Sequence, residues 1–459
     1  MKNLIKPSLI ASCAALALMA CSNDDTKNDT SNTSGDGLIP NTAFASTYKP
    51  AASENFIITN AHIFDGKGGE IENGFIRIAD GRIAAIGEGD YRGDIDISYD
   101  AGGKPVTPGL IDVHSHLGNY PSPSIRAHAD GNEVTSPITS EVYAEHGVWP
   151  QDPGFDEALA GGVTTLHILP GSANLFGGRG ITLRNVAART VQDMKFPDAP
   201  YTLKMACGEN PKRVYGQKGG PGSRMGNVAG YRKNWIKAAE YKKKLEDGKE
   251  VTRDLQLETL AGVLNGDILV QMHCYRADEM AQIIDIANEF DYKIGTFHHA
   301  IESYKIGDLL AKNDICSAMW ADWYGFKMEA NDTIRENIPF VHAQGACAMI
   351  HSDDPYGIQR LNQETAKAWA DGNRVGLAIP KAEAFMWMTH NPAKALGIAD
   401  ETGSLDVGKR ADIVMWSADP FSTYARPQKV FIDGALSYDR TVGVKPRGDF
   451  MVGRDGGAN

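Results

Sequence analysis

The segment Val106-Thr-Pro-Gly-Leu-Ile-Asp-Val-His-Ser-His116 decides how this chain is read. Its apolar run from Gly109 to His114, bounded by Pro108 and Gly109, reads as a buried strand. The run leads into two histidines spaced two residues apart. Side chains at that spacing on a strand point to the same face, so His114 and His116 can reach one metal ion.

Outward from this strand, apolar runs alternate with helical stretches. Further strands are expected at Val163 to Leu169, Ile181 to Arg184, Tyr201 to Cys207, Ile268 to His273, Lys293 to His299, Ile315 to Trp320 and Cys347 to Ser352. Helices are expected at Leu255 to Leu264, Ala277 to Phe290 and Gln363 to Ala370. Eight strands alternating with helices give an α/β protein, a (β/α)8 TIM barrel, although an open doubly wound sheet would read much the same. In such a barrel, active sites form at the carboxyl ends of the strands. Those ends carry His114 and His116, His273, His298 and His299, and Asp353 and Asp354, with Lys204 inside the fourth strand. Histidine and carboxylate together suit zinc and related ions. The remaining histidines, His351 among them, are assigned packing or solvent-facing roles, with His128 and His146 in a loop that could border the pocket.

Short strand patterns with Asp-Gly turns flank the barrel: Phe56 to Thr59, Phe75 to Ile78 and Arg82 to Ile86 before it, Asp412 to Trp416 and Lys429 to Ile432 after it. They are expected to form one small β-sandwich from both chain ends. The resulting division is a signal segment at 1–21, a polar tether at 22–52, sandwich at 53–107, barrel at 108–398, sandwich at 399–440 and a tail at 441–459.

The amino terminus reads as an address. Lys2 and Lys6 precede an apolar run from Leu9 to Ala20, shorter than a comfortable membrane span. It ends in Leu18-Met-Ala-Cys21, which is similar to a bacterial lipobox, so Cys21 is expected to carry lipid. Ser22 rather than aspartate follows, which by the same resemblance points to the outer membrane, facing the periplasm. The Asn-, Ser- and Thr-rich stretch behind it has too few apolar residues to order itself. The lipid is the expected membrane contact.

Forty-two per cent of residues are hydrophobic and the net charge is -12. That composition is ordinary for a globular protein and argues against nucleic acid as a partner, because phosphate binding needs a basic surface. Cys207, Cys274, Cys316 and Cys347 sit beside strand-like runs and read as buried free thiols. An oxidising compartment permits disulfides, but the sequence does not pair them. No segment demands a dimer.

Five motifs together carry a family resemblance: the opening segment, Val270-Gln-Met-His-Cys-Tyr-Arg-Ala-Asp-Glu279, Thr296-Phe-His-His-Ala-Ile-Glu302, Ile350-His-Ser-Asp-Asp354 and Gly403-Ser-Leu-Asp-Val-Gly-Lys-Arg-Ala-Asp-Ile-Val414. From about residue 54 to 437 the chain resembles the amidohydrolase superfamily, on the side of the imidazolonepropionase-related group that also contains dipeptidase- and carboxypeptidase-like enzymes. The resemblance implies His114 and His116 on one divalent metal, His273 and His299 on a second, and Asp353 as both metal ligand and general base. Two zinc ions are implied, with a single one as the alternative. The bridging ligand is either Lys204, carbamylated by carbon dioxide, or the carboxylate of Glu209, with Lys204 ranked first. The implied activity is cleavage of a carbon–nitrogen bond in a small amide or dipeptide-like substrate by a metal-activated hydroxide. Deamination of a ring and a non-catalytic envelope binding protein are the alternatives.

Substrate identity is expected in the loops. Residues 208–232 carry Arg213, Tyr215, Arg224 and Arg232, and Tyr275 and Arg276 follow His273. These could clamp a carboxylate, because guanidinium binds it in a two-point fork. A solvated basic loop explains the same residues equally well.

Overall fold

The computed structural model describes residues 44–93 and 97–443. The signal segment with Cys21, most of the tether and the end of the tail lie outside them.

Among the described residues, sixteen strands form two sheets. Those before the barrel are β1 (Phe56–Phe64), β2 (Glu70–Ala79), β3 (Arg82–Glu88), β4 (Ser98–Asp100) and β5 (Pro105–Pro108). The barrel strands are β6 (Leu110–Ser115), β7 (Val163–Ile168), β8 (Phe176–Arg184), β9 (Tyr201–Ala206), β10 (Ile268–His273), β11 (Ile294–His298), β12 (Cys316–Met319) and β13 (Cys347–Ile350). After the barrel come β14 (Ile413–Trp416), β15 (Pro427–Ile432) and β16 (Ala435–Asp439). The flanking strands join across the chain in the order β16-β15-β14-β5-β1-β2-β3, with β4 beside β1. The junction is the antiparallel pair β14–β5, where Ile413 faces Pro108.

The barrel sheet runs β6 to β13 in sequence order. It is nearly closed: the Asp353 N–H, just past β13, donates to the His114 carbonyl at 3.0 Å. One strand departs from the all-parallel expectation. β8 is antiparallel to both β7 and β9. The connection between β7 and β8 spans only residues 169–175. A parallel crossover needs a dozen residues or more, whereas a short link returns the chain antiparallel.

Elsewhere the local signals act as read. Helix Ala277–Phe290 buries Met280, Ile283, Ile284 and Ala287 against the barrel, a stripe at helical spacing. Helix Leu255–Asn265 starts where the Asp254 carboxylate accepts the Leu257 N–H at 3.1 Å, and stops at Gly266 with φ +86. Residues 208–232 differ from the expected loop. They contain helix Glu209–Tyr215 and the start of a 23-residue helix, Arg224–Glu246. Its buried face is mostly aromatic, Tyr231, Trp235 and Tyr241 with Ala238, set in a polar sequence that hides the period. Arg224 is spent on Glu279 and Glu329, and Arg232 on Glu289.

Two further expectations are corrected. The cysteines are not free thiols: Cys207 joins Cys274 just past the ends of adjacent strands β9 and β10, and Cys316 joins Cys347 across adjacent strands β12 and β13. Sequence separations of 67 and 31 residues concealed pairs that the sheet register makes neighbours. The end of the expected tether is also fixed. The Ser46 hydroxyl donates to the Lys195 carbonyl at 2.8 Å and the Thr47 N–H to the Gln192 carbonyl at 3.0 Å.

Candidate functional site

The site assembles on the strand ends because β6, β9, β10, β11 and β13 all deliver side chains to one end of the barrel. Beneath it, the buried Asp112 carboxylate accepts the backbone N–H groups of His114 and Ser352, each at 3.2 Å, and the Ser352 hydroxyl. This locks the first barrel strand to the last. Burial raises the Asp112 pKa to about 7 against those hydrogen bonds. Two non-glycine residues at the site, His299 (φ +56) and Asp353 (φ +51), adopt left-handed backbone. That conformation is sparsely populated and recurs where a site dictates the direction of a side chain.

Three imidazoles converge on one carboxylate. The Asp353 carboxylate lies 3.1 Å from His116 Nε2, 3.5 Å from His114 Nε2 and 3.6 Å from His299 Nε2. His116 is oriented by its other nitrogen, whose Nδ1–H donates to the Leu169 carbonyl at 2.7 Å. Nε2 is then left with a lone pair. Burial holds His114, His273 and His299 well below the ordinary imidazole pKa, with Lys204 and neighbouring rings adding to the effect. These rings are neutral donors at pH 7. Burial pulls the Asp353 pKa upward, but the neighbouring groups, His116, His351 and Lys204, outweigh it and keep the carboxyl below its usual range. Neutral imidazoles around an ionised carboxylate fit a divalent cation such as zinc. The ligand atoms of His114, His116 and Asp353 lie within 4.8 Å of one another, as do those of His114, His299 and His351.

Lys204 is fully buried on β9, with Nζ 3.4 Å from His114 Nε2, and burial lowers its pKa to about 7. Glu209 instead faces Lys327, its carboxylate 3.5 Å from Nζ. The structure therefore draws Lys204 into the cluster and leaves Glu209 on a neighbouring ion pair. His273 lines the same cavity, with Nε2 3.3 Å from Asn210 Nδ2. Of the adjacent pair, His299 faces Asp353, whereas His298 turns to His114 Nδ1 at 2.8 Å.

His351, assigned above to packing, stands at the site instead, with Nε2 3.2 Å from His299 Nδ1. Its signal was present: it lies two residues before Asp353, the spacing that joins His114 to His116. His128 packs on Trp149 and His146 on Tyr143, and neither borders the cavity. Their loop contributes Tyr120 and Asn132 instead.

The cavity holds about 290 Å³, and Arg213 and Tyr275 form part of its wall. Tyr215 and Arg276 are not brought there. Tyr215 is buried behind the wall, and Arg276 donates two hydrogen bonds to Asp278, each at 2.9 Å. Trp320, not singled out in the sequence, stacks on His299 with ring centres 4.6 Å apart.

Comparison with known proteins agrees with this geometry. The pattern of the Amidohydrolase family matches residues 267–437. The chain is 31% identical over 374 residues to amidohydrolase tasK of Hapsidospora irregularis, covering 75% of this chain and 38% of tasK, so it spans well under half of that relative. It is 24% identical to an imidazolonepropionase of Alkaliphilus oremlandii, over 76% of this chain and 85% of that one. Among solved structures, an amidohydrolase from Thermotoga maritima superposes with a TM-score of 0.77 at 35% identity, over 84% of this chain and all of that one. The chain belongs to the amidohydrolase family.

Proposed function

We propose that this protein hydrolyses a carbon–nitrogen bond of a small amide or dipeptide-like substrate with the help of divalent metal. The observation that carries the reading is the convergence of His114, His116 and His299 on the Asp353 carboxylate beside the cavity. His114, His116 and Asp353 would hold one cation, and His273 and His299 a second. Lys204 would join them as a carbamate, formed when its neutral amine adds to carbon dioxide and releases a proton. The lowered Lys204 pKa supports that role, because only the uncharged amine is nucleophilic. Zinc suits this donor set best.

A bound dication supplies Lewis-acid polarisation of the substrate carbonyl and acidifies water. The chain's own residues do the rest. Asp353, which stays ionised, accepts the proton of the attacking water and delivers it to the departing nitrogen. Arg213 stands on the cavity wall, where its guanidinium can pair with a substrate carboxylate. Tyr275, buried against the site, closes the same wall to water.

The test is a screen of the zinc-loaded soluble domain against N-acyl amino acids, dipeptides and cyclic amides. The expected outcome is release of a free amine that chelation abolishes and zinc restores. No turnover across that panel with metal bound would sink the reading and favour a binding role. Release of ammonia from ring substrates alone would favour deamination.

The same proposal includes export and lipidation at Cys21. Two disulfides suit an oxidising compartment. Cell fractionation of wild type and Cys21→Ser tests it: the wild type should partition with outer membranes and the variant should not. Equal partitioning of both would remove the lipid anchor from the proposal.

A further inference from the structure

His114 Nε2 faces the cluster, 3.4 Å from Lys204 Nζ and 3.5 Å from Asp353. Its Nδ1 lies 2.8 Å from His298 Nδ1. Two ring nitrogens at that distance share one proton, so one must donate and the other accept. The far end of the chain of contacts decides which. His298 Nε2 lies 2.7 Å from Gln271 Oε1. With the Gln271 amide in this orientation its oxygen accepts, so His298 carries its proton on Nε2. Its Nδ1 then holds a lone pair and must accept from His114 Nδ1–H. His114 Nε2 is left unprotonated, aimed at the cluster.

We propose that Gln271 and His298 are positioning residues: a two-step hydrogen-bond relay that sets the tautomer of His114 and commits its Nε2 to the cation. The relay crosses the barrel through β10, β11 and β6. Gln271 pairs with Lys204 in the sheet register and His298 with His273, so each lies directly beside a group of the cluster. All three members are fully buried, and neither Gln271 nor His298 borders the cavity. Water cannot replace a lost partner there, and substrate touches neither residue. The metal-affinity arm of the test rests on the proposed metal site. The tautomer arm does not.

In metal-free protein labelled with 15N-histidine, long-range ring correlations should read His114 as Nδ1-protonated and His298 as Nε2-protonated. Nε2-protonated His114 overturns the relay whether or not metal binds. For the metal arm, zinc affinity is measured by competition with a chelating dye. The near-isosteric Gln271→Met removes the acceptor and should weaken zinc by about 10- to 100-fold, the usual cost of losing such a partner. Gln271→Glu keeps an acceptor and should bind as wild type. His298→Phe should lose as much as Gln271→Met, and the double variant no more than either, because the two act in series. Wild-type affinity in folded Gln271→Met, lost affinity in folded Gln271→Glu, or additive losses would each overturn the relay. A wild type that binds no zinc, with the tautomers as stated, would overturn the metal site instead and leave the relay standing.

Discussion

At the scale of the residue, Asp353 and Lys204 have different electrostatic settings and different consequences. Asp353 stays ionised although buried, because its neighbours together outweigh the cost of burial. Asp353→Asn removes the proton acceptor but keeps an oxygen donor. It should retain metal by elemental analysis while kcat falls by about 10²- to 10⁴-fold. Lys204 is the opposite case: burial disfavours its charge and lowers its pKa from 10.5 to about 7. Between those two values the unfolded chain binds a proton that the folded chain does not, so stability rises with pH across that window. Metal-free, carbonate-free protein should gain up to roughly 5 kcal/mol between pH 7 and pH 10.5 from this group. Lys204→Met should abolish that share of the rise, measured by urea unfolding at several pH values. An unchanged pH dependence would mean that the amine is not isolated from water as its burial implies. The sequence placed Asp353 at a strand end and Lys204 within a strand, and the family resemblance implied their roles. It could not supply their pKa values, which depend on what the fold packs around them.

At the scale of the element, the two disulfides join neighbouring strands at opposite ends of the barrel. Cys207 and Cys274 directly follow β9 and β10, beside His273, whereas Cys316 and Cys347 open β12 and β13. Each closes a long loop, and chain-entropy reasoning gives each roughly 4 kcal/mol. The serine double variants should therefore both lower the thermal midpoint. Only Cys207→Ser/Cys274→Ser should also weaken zinc, because that bridge holds a proposed ligand strand. Equal metal affinity in the two variants would show that the strand ends keep their geometry without the bridge. Strand positions themselves were legible, since a run of buried apolar residues marks a strand wherever it lies. The direction of β8 was not, because it depends on the length of a connection rather than on the strand.

At the scale of the whole molecule, a buried ion-pair group ties the barrel to the flanking sheet. Arg184, at the end of β8, donates to Asp412, and Asp433 stands 3.2 Å away. Arg184 is fully buried and Asp412 nearly so. Asp412→Ala would leave a buried guanidinium short of a partner, which costs about 3–5 kcal/mol. Chemical denaturation should show that loss, while zinc affinity of the folded variant should stay as in wild type. A loss of metal affinity in step with stability would mean that the flanking sheet shapes the site directly.

By itself, the sequence determined the alternation of strands and helices, the histidines and aspartate at strand ends, and the β segments at both chain ends. These follow from local rules: period-two alternation, apolar runs and Asp-Gly turns act within a few residues. Only the tertiary structure decided that His298 turns from the cavity while His351 enters the cluster, that Lys204 and not Glu209 reaches it, and which cysteines pair. Each of those outcomes depends on which strands become neighbours and which side chains lose water, properties that belong to the assembled sheet and to no single segment.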